Sequence, residues 1–157
     1  MTLRHVAVLL SVLSVFTFSD RVSAKPIHEE SFVRIGGIEQ WITIRGENRN
    51  NPVLLLLHGG PGDATNPWGY AGFRNWLKYF TLVQWDQRGA GRTFGRNGAD
   101  AASTITIDRM VQDGVELTEL LSKRLQKDKI VLVGHSWGSI LGAVSYTHLT
   151  LPTIYSV

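Results

Sequence analysis

The sequence predicts an α/β fold, a mostly parallel sheet with helices on both faces and an antiparallel hairpin at its amino-terminal edge. Three observations carry this expectation. Compact, largely apolar runs recur at Val53–Leu57, 81–85 and 130–133, as in strands buried on both faces. Between the second and third lies a long segment whose apolar residues recur at helical spacing. Each run ends on a turn cluster or a sharp glycine-containing motif, the order expected of strand–helix–strand units.

Taken in chain order, residues 31–35 and 39–45 alternate around Gly36-Gly37, the signature of a hairpin. Residues 47–51 are polar and Asn-rich and precede Pro52, which makes them a turn. Val53–Leu57 is the first buried strand. Residues 73–79 suggest a short helix, and 81–85 a second buried strand. The segment 106–125 carries Met110, Val111, Val115, Leu117, Leu120, Leu121 and Leu125 on a helical stripe. Thr106 is its candidate N-cap, Asp108 lies in the first turn, and Lys123 and Arg124 suit the negative carboxyl end. Residues 130–133 form the third buried strand, and a small-residue helix begins after the turn that follows it. No internal repeat is visible.

The chain has 157 residues, 43% apolar and 18% charged, an ordinary globular composition that sets aside disorder, collagen and coiled coil. That length allows one domain at most, or a piece of a larger one. It contains no cysteine, which excludes a disulfide framework, a thiolate metal site and a cysteine nucleophile. The net charge is +3, with no run of five basic residues, so nothing supports nucleic-acid binding. The histidines are dispersed without an H-E-x-x-H pattern, and neither a metal nor a cofactor is expected.

Residues 1–24 read as a secretory signal: Arg4 and His5, an apolar run over 6–18, a polar exit at Ser19-Asp20-Arg21, then Val22-Ser23-Ala24 before the cleavage point. The apolar run falls short of the roughly 20 residues of a spanning helix. Cleavage after Ala24 removes Arg4, Asp20 and Arg21 and lowers the net charge by one. An exported, periplasmic or secreted protein without stable membrane association is expected.

Three motifs follow apolar strands. Gly134-x-Ser136-x-Gly138 would lift a serine above the sheet edge at a tight strand-to-helix turn, its glycines leaving room where side chains would clash. His58-Gly59-Gly60-Pro61-Gly62 would let backbone N–H groups approach a developing oxyanion, with Gly60 and Trp137 as the expected donors. His58 itself reads as a packed, hydrogen-bonded residue. Asp86-Gln87-Arg88-Gly89-Ala90-Gly91-Arg92 lacks the third glycine of a dinucleotide loop, since Phe94 stands there. It reads as a structural loop bracing the site, with Asp86 and Arg88 in ion pairs.

HGGPG, DQRGAGR and GHSWGS together resemble the α/β-hydrolase family, most nearly its prolyl aminopeptidase (proline iminopeptidase) branch, over residues 31–143. The resemblance implies Ser136 as nucleophile, the N–H groups of Gly60 and Trp137 as oxyanion donors, and an acyl-enzyme resolved by water. It also implies a small peptide substrate entering by its free amino end. His135 departs from the branch, which often has glycine there, whereas other hydrolase branches carry histidine. An esterase or lipase-like enzyme on ester substrates therefore stays open, as does a non-catalytic binding module. Dehalogenase-like chemistry would need an aspartate where Ser136 stands.

In this fold the triad runs serine, acid, histidine. After Ser136 the sequence has no Asp or Glu, and its one later histidine, His148, is too near in sequence to belong to a distant strand. The chain is therefore expected to be an incomplete α/β-hydrolase domain lacking its triad acid and histidine: a signal at 1–24, the amino-terminal portion at 25–143, and a non-native tail at 144–157. Residues 144–153, VSYTHLTLPT, are similar to a translated sequencing-adapter end, and helical spacing is expected to fail after Ala143. Residues 25–157 alone are expected to be inactive and poorly folded, with the outer edge of the last strand bare.

The exported product should begin at Lys25, as N-terminal sequencing of secreted material would report; an intact Met1 on that material rules out cleavage.

Overall fold

The computed structural model describes residues 25–149 and 154–156. The signal assigned to residues 1–24 lies outside them. Six strands form one sheet: β1 (Ile27–Ile35), β2 (Ile38–Gly46), β3 (Val53–Leu57), β4 (Thr81–Asp86), β5 (Ile130–Gly134) and β6 (Ile154–Ser156), in the spatial order β1-β2-β4-β3-β5-β6. β1 and β4 each pair with β2 antiparallel, and the remaining pairs are parallel. The chain leaves β3 for β4 on one side and reaches β5 on the other. The crevice for a site therefore opens at the carboxyl ends of β3 and β5.

The unbroken apolar run of β3 is explained by its place in the middle of the sheet. Val53, Leu55 and Leu57 join Val83, Trp85, Ile130 and Leu132 on one face. That face is covered by α3 (Ile107–Leu125), through Met110, Val111, Leu117, Leu121 and Leu125, and by α4 (Trp137–His148), through Leu141. Leu54 and Leu56 point the other way, with Leu82, under Phe73, Leu77 and Phe80. Thr106 caps α3, its hydroxyl accepting from the Arg109 N–H at 3.1 Å.

The β1–β2 hairpin turns on Gly36 and Gly37, both at positive φ, between the paired Ile35 and Ile38. β1 begins four residues earlier than its alternation suggested, because His28, Glu29 and Glu30 pair across to β2 and its flank. Glu30 binds Arg45, and Glu29 meets Arg49 and Arg124.

The first helix differs from expectation. α1 spans Asn66–Phe73 and passes into a 3₁₀ turn over Arg74–Lys78, so helix starts before the expected 73–79 segment. Pro67 in the first turn is the local signal, since proline suits a helix start. A further helix, α2 (Gly91–Ala102), was not expected from its three glycines, and Gly98 indeed interrupts it at φ 71°. Thr93 is its one buried residue. It is fastened by guanidinium groups: Arg92 lies over the Trp41 ring at 4.4 Å and Arg96 over Phe32 at 4.2 Å. Those two rings meet edge to face, 4.9 Å between centroids.

Two expectations about the carboxyl end are corrected. α4 does not fail after Ala143 but continues to His148, with Ser145 buried and Val144 and Tyr146 packed on the core. β-Branched residues cost a helix only a few tenths of a kcal/mol, which such burial outweighs. Nor is the outer edge of β5 bare, because β6 pairs in parallel with residues 130–132.

Beneath the hairpin turn lies a buried ionic cluster. Arg88, 2% exposed, donates to both oxygens of Asp113, at 2.8 and 3.1 Å, and to the Gly36 carbonyl at 2.8 Å. Asp113 is fully buried and also accepts from Arg109 and Gln40, which satisfies its four lone-pair sites. A Cβ at Gly36 would sit 2.0 Å from Asp113 Oδ1, so the glycine is required for the close approach as well as for the turn. Asp86, expected in an ion pair, instead accepts hydrogen bonds from the Asn66 side chain and from the Arg92 N–H at the start of α2.

Removing the Asp113 carboxylate leaves the buried Arg88 guanidinium without its counter-charge, at about 3–5 kcal/mol. Asp113→Leu should lower the unfolding free energy by that amount, read from urea unfolding at constant slope. A loss no larger than the roughly 1 kcal/mol of a surface pair would deny the cluster this role.

Candidate active site

Leu57 and Gly134 are the last partners of the β3–β5 ladder, so the segments leaving both strands run side by side. The His135 N–H donates back to the Leu57 carbonyl at 3.1 Å and extends that contact by one residue. Ser136 follows at φ 54° and ψ −120°, a backbone conformation that L-residues adopt only when the surroundings impose it. The surroundings do impose it. The Gly138 N–H bonds the His135 carbonyl at 2.9 Å, and the Ser139 N–H and hydroxyl bond the carbonyls of Ser136 and Gly134.

Both motif glycines are explained by space. A Cβ at Gly138 would lie 1.9 Å from the Leu57 carbonyl oxygen, and one at Gly134 would lie 2.3 Å from the Gly138 carbonyl oxygen. The turn is thus tight enough to leave Ser136 exposed at the amino end of α4. Among the described residues no side chain hydrogen-bonds the Ser136 hydroxyl.

The loop after β3 lies against this turn. A Cβ on Gly59 would be 3.3 Å from Ser136 Cβ and from the His135 carbonyl, so the glycine lets the loop touch the serine. Gly60 has φ 115°. Among the described residues, neither the Gly60 nor the Trp137 N–H bonds another backbone group. Two unspent donors therefore flank an exposed serine, on a helix end whose dipole favours negative charge.

His58 is 2% exposed and committed at both nitrogens. Its Nε2 accepts from the Gln87 N–H at 3.1 Å, which leaves Nδ1 to donate to the Gly59 carbonyl at 2.8 Å. Burial pushes its pKa below the ordinary value, against the opposing hydrogen bond to Gly59 and the charges of Asp86 and Asp63. His58 is accordingly a neutral, packed histidine and cannot serve as the base. His148 stands at the far end of α4, about 18 Å along the axis from Ser136 at 1.5 Å per residue.

Sequence reasoning missed Gln87, which is fully buried. Its amide donates to the His58 carbonyl at 3.1 Å and accepts from the Trp137 indole N–H at 3.2 Å. Its place inside the DQRGAGR segment was the available signal. An apolar cavity of about 90 Å³ lies beside the turn, lined by residues including Leu57, Phe73, Val133 and His135. A larger groove of about 590 Å³, with Trp41, Asp86 and Arg92 in its wall, does not include Ser136.

A serine on a strained strand-to-helix turn, beside a glycine loop with free N–H groups, defines a class of hydrolytic enzymes built on a parallel sheet. The chain belongs to the alpha/beta hydrolase fold family, whose sequence model matches residues 52–146. It is 41% identical over 111 residues to the probable aminopeptidase YbaC of Bacillus subtilis, covering 68% of this chain and 33% of that protein. It is 37% identical over 124 residues to a proline iminopeptidase of Saccharolobus solfataricus, covering 75% and 36%. The chain thus spans about a third of the length of these curated relatives. Among solved structures, the proline iminopeptidase-related protein TTHA1809 of Thermus thermophilus superposes with a TM-score of 0.64 at 28% identity, over 78% of this chain and 41% of that one. Epoxide hydrolase VrEH1 of Vigna radiata superposes at 0.55 with 27% identity, over 75% and 33%.

The state of His58 sets an acid limit on stability. Its folded pKa lies below its unfolded value near 6.5, so the unfolded chain binds more protons as pH falls past that value. The contribution is complete above about pH 6.5 and is lost progressively as pH falls toward the lower folded value. His58→Gln should flatten that part of the profile in urea unfolding between pH 7.5 and pH 5; an unchanged profile would assign the acid loss to other groups.

Proposed function

We propose that this chain carries the nucleophile half of an exported serine hydrolase, an aminopeptidase that releases N-terminal proline or a similar residue through an acyl-enzyme. The single observation that carries the reading is the exposed Ser136 hydroxyl, held at φ 54° against the Gly59-Gly60 loop. In the proposed reaction Ser136 Oγ attacks the scissile carbonyl and loses its proton to a histidine base. The N–H groups of Gly60 and Trp137 hydrogen-bond the oxyanion, the amine departs with a proton, and water then hydrolyses the ester. No acid follows Ser136 in this sequence, and neither His58 nor His148 is placed to act as base. The reading therefore assigns activity to a longer polypeptide and leaves this chain alone inactive.

Serine chemistry favours acyl substrates over the epoxides of the structural relatives. An epoxide opened by a serine hydroxyl would leave an alkyl ether that water does not cleave, whereas an acyl ester turns over. The relatives' names favour an aminoacyl substrate, and His135 beside the nucleophile favours the ester alternative. β1 begins at Ile27, so cleavage after Ala24 would leave the first strand whole, in keeping with export.

A fluorophosphonate should label the full-length enzyme at Ser136, and Ser136→Ala should abolish both labelling and hydrolysis, a loss on the order of 10⁴–10⁶ in rate. Turnover of prolyl 4-nitroanilide but not 4-nitrophenyl butyrate supports the aminopeptidase, and the reverse supports the esterase. Labelling that survives the substitution assigns the nucleophile elsewhere.

A further inference from the structure

We propose that Gln87 is a positioning residue that aligns both oxyanion donors, a role that rests on the acyl-transfer reading of Ser136. The two donors belong to separate segments, Gly60 to the loop after β3 and Trp137 to the first turn of α4. Their spacing has to be right to a few tenths of an ångström for both to reach one oxygen. The side-chain amide of Gln87 bridges those segments. It donates to the His58 carbonyl at 3.1 Å and accepts from the Trp137 indole at 3.2 Å.

The orientation of that amide is not arbitrary. An indole N–H can only donate and a carbonyl can only accept, so one amide orientation alone satisfies both neighbours. Gln87 is fully buried, its bond to the His58 carbonyl is buried and its bond to the indole half-buried, and no second side chain links His58 to Trp137 among the described residues.

The backbone of Gln87 acts on the first donor by a second route. Its N–H bonds His58 Nε2, which fixes the proton on Nδ1, and Nδ1–H in turn holds the Gly59 carbonyl. The Gly59 carbonyl and the Gly60 N–H are opposite ends of one trans peptide plane. Holding the carbonyl therefore aims the N–H the other way. Trp137 is set through its own ring, and its N–H belongs to the same residue. One buried glutamine thus orients the Gly60 donor through an imidazole and the Trp137 donor through an indole.

Gln87→Met keeps the length of the side chain and removes both amide bonds. In the full-length enzyme, titrated for active sites by fluorophosphonate, kcat per site should fall about 100-fold, the scale of one lost oxyanion donor, with KM within about threefold. Trp137→Phe removes the indole N–H together with part of the ring volume and should lower kcat in the same way. The double variant should fall no further than Gln87→Met alone, because both break one linkage. A glutamine that merely supports the fold would reduce the number of titratable sites and leave kcat per site unchanged, which overturns the proposal. So does a Trp137→Phe enzyme with unaltered kcat, should Gln87→Met fail to fold. A wild-type enzyme that takes no label overturns the nucleophile reading and this one with it, whereas a labelled wild type with unimpaired variants overturns this one alone.

Discussion

β3 and β5 lie next to each other although β4 and α3 separate them in sequence, and their ladder ends with Leu57 opposite Gly134. Everything at the carboxyl edge depends on that pairing. It brings a glycine loop and a strained serine turn into van der Waals contact, and it uses the Leu57 carbonyl as the common reference. That oxygen accepts from the His135 N–H, and Gly138 packs within 1.9 Å of it, measured from the position a Cβ would take. No side chain fits between the two segments. The tolerance of the site is therefore set by backbone contacts, which deform less readily than side chains.

The second constraint is electrostatic and works from below. Arg88 and Asp113 tie the hairpin turn, the DQRGAGR segment and α3 into one buried cluster. Arg88 directly follows Gln87, so the residue that reaches the glycine loop and the serine turn is anchored by its neighbour to the core of the sheet. The chain of support runs from Gly36 through Arg88 and Gln87 to His58 and Trp137, by hydrogen bonds of 2.8–3.2 Å. A satisfied buried network of this kind specifies one arrangement, because an alternative would strand a charge.

The sequence was most legible where a single periodicity decided the structure. The three apolar runs became β3, β4 and β5, and the stripe from Met110 to Leu125 became α3. The two motifs at the carboxyl edge were legible because their glycines answer close contacts that the fold always makes there. α1 and α2 were not, since glycines and a short apolar content mask helices that are held by a few specific contacts. Gln87 was hidden for a different reason. Its motif marked a bracing loop, but nothing in the spacing of residues tells that a side chain from β4's end reaches both His58 and Trp137. α4 continued past Ala143 because packing of Val144 and Tyr146 against the core overrode local preference.

The fastening of α2 has a consequence for how the molecule opens. Up to Asn97 this helix is hydrogen-bonded to the sheet: the Trp41 N–H donates to the Thr93 hydroxyl, that hydroxyl donates to the Asp86 carbonyl, and the Asn97 amide donates to the Glu39 carbonyl, with Arg92 over Trp41 and Arg96 over Phe32 as added contacts at exposed side chains. Such contacts are worth about 0.5–1 kcal/mol each at exposed positions, far less than the burial that holds α3. The positive φ of Gly98 supplies a break within it. The turn beyond Gly98 can therefore open while Thr93 stays bonded to the sheet, without disturbing Ser136. The protein thus has a locally labile flank beside a rigid carboxyl edge, and its amide protons should exchange with solvent in that order.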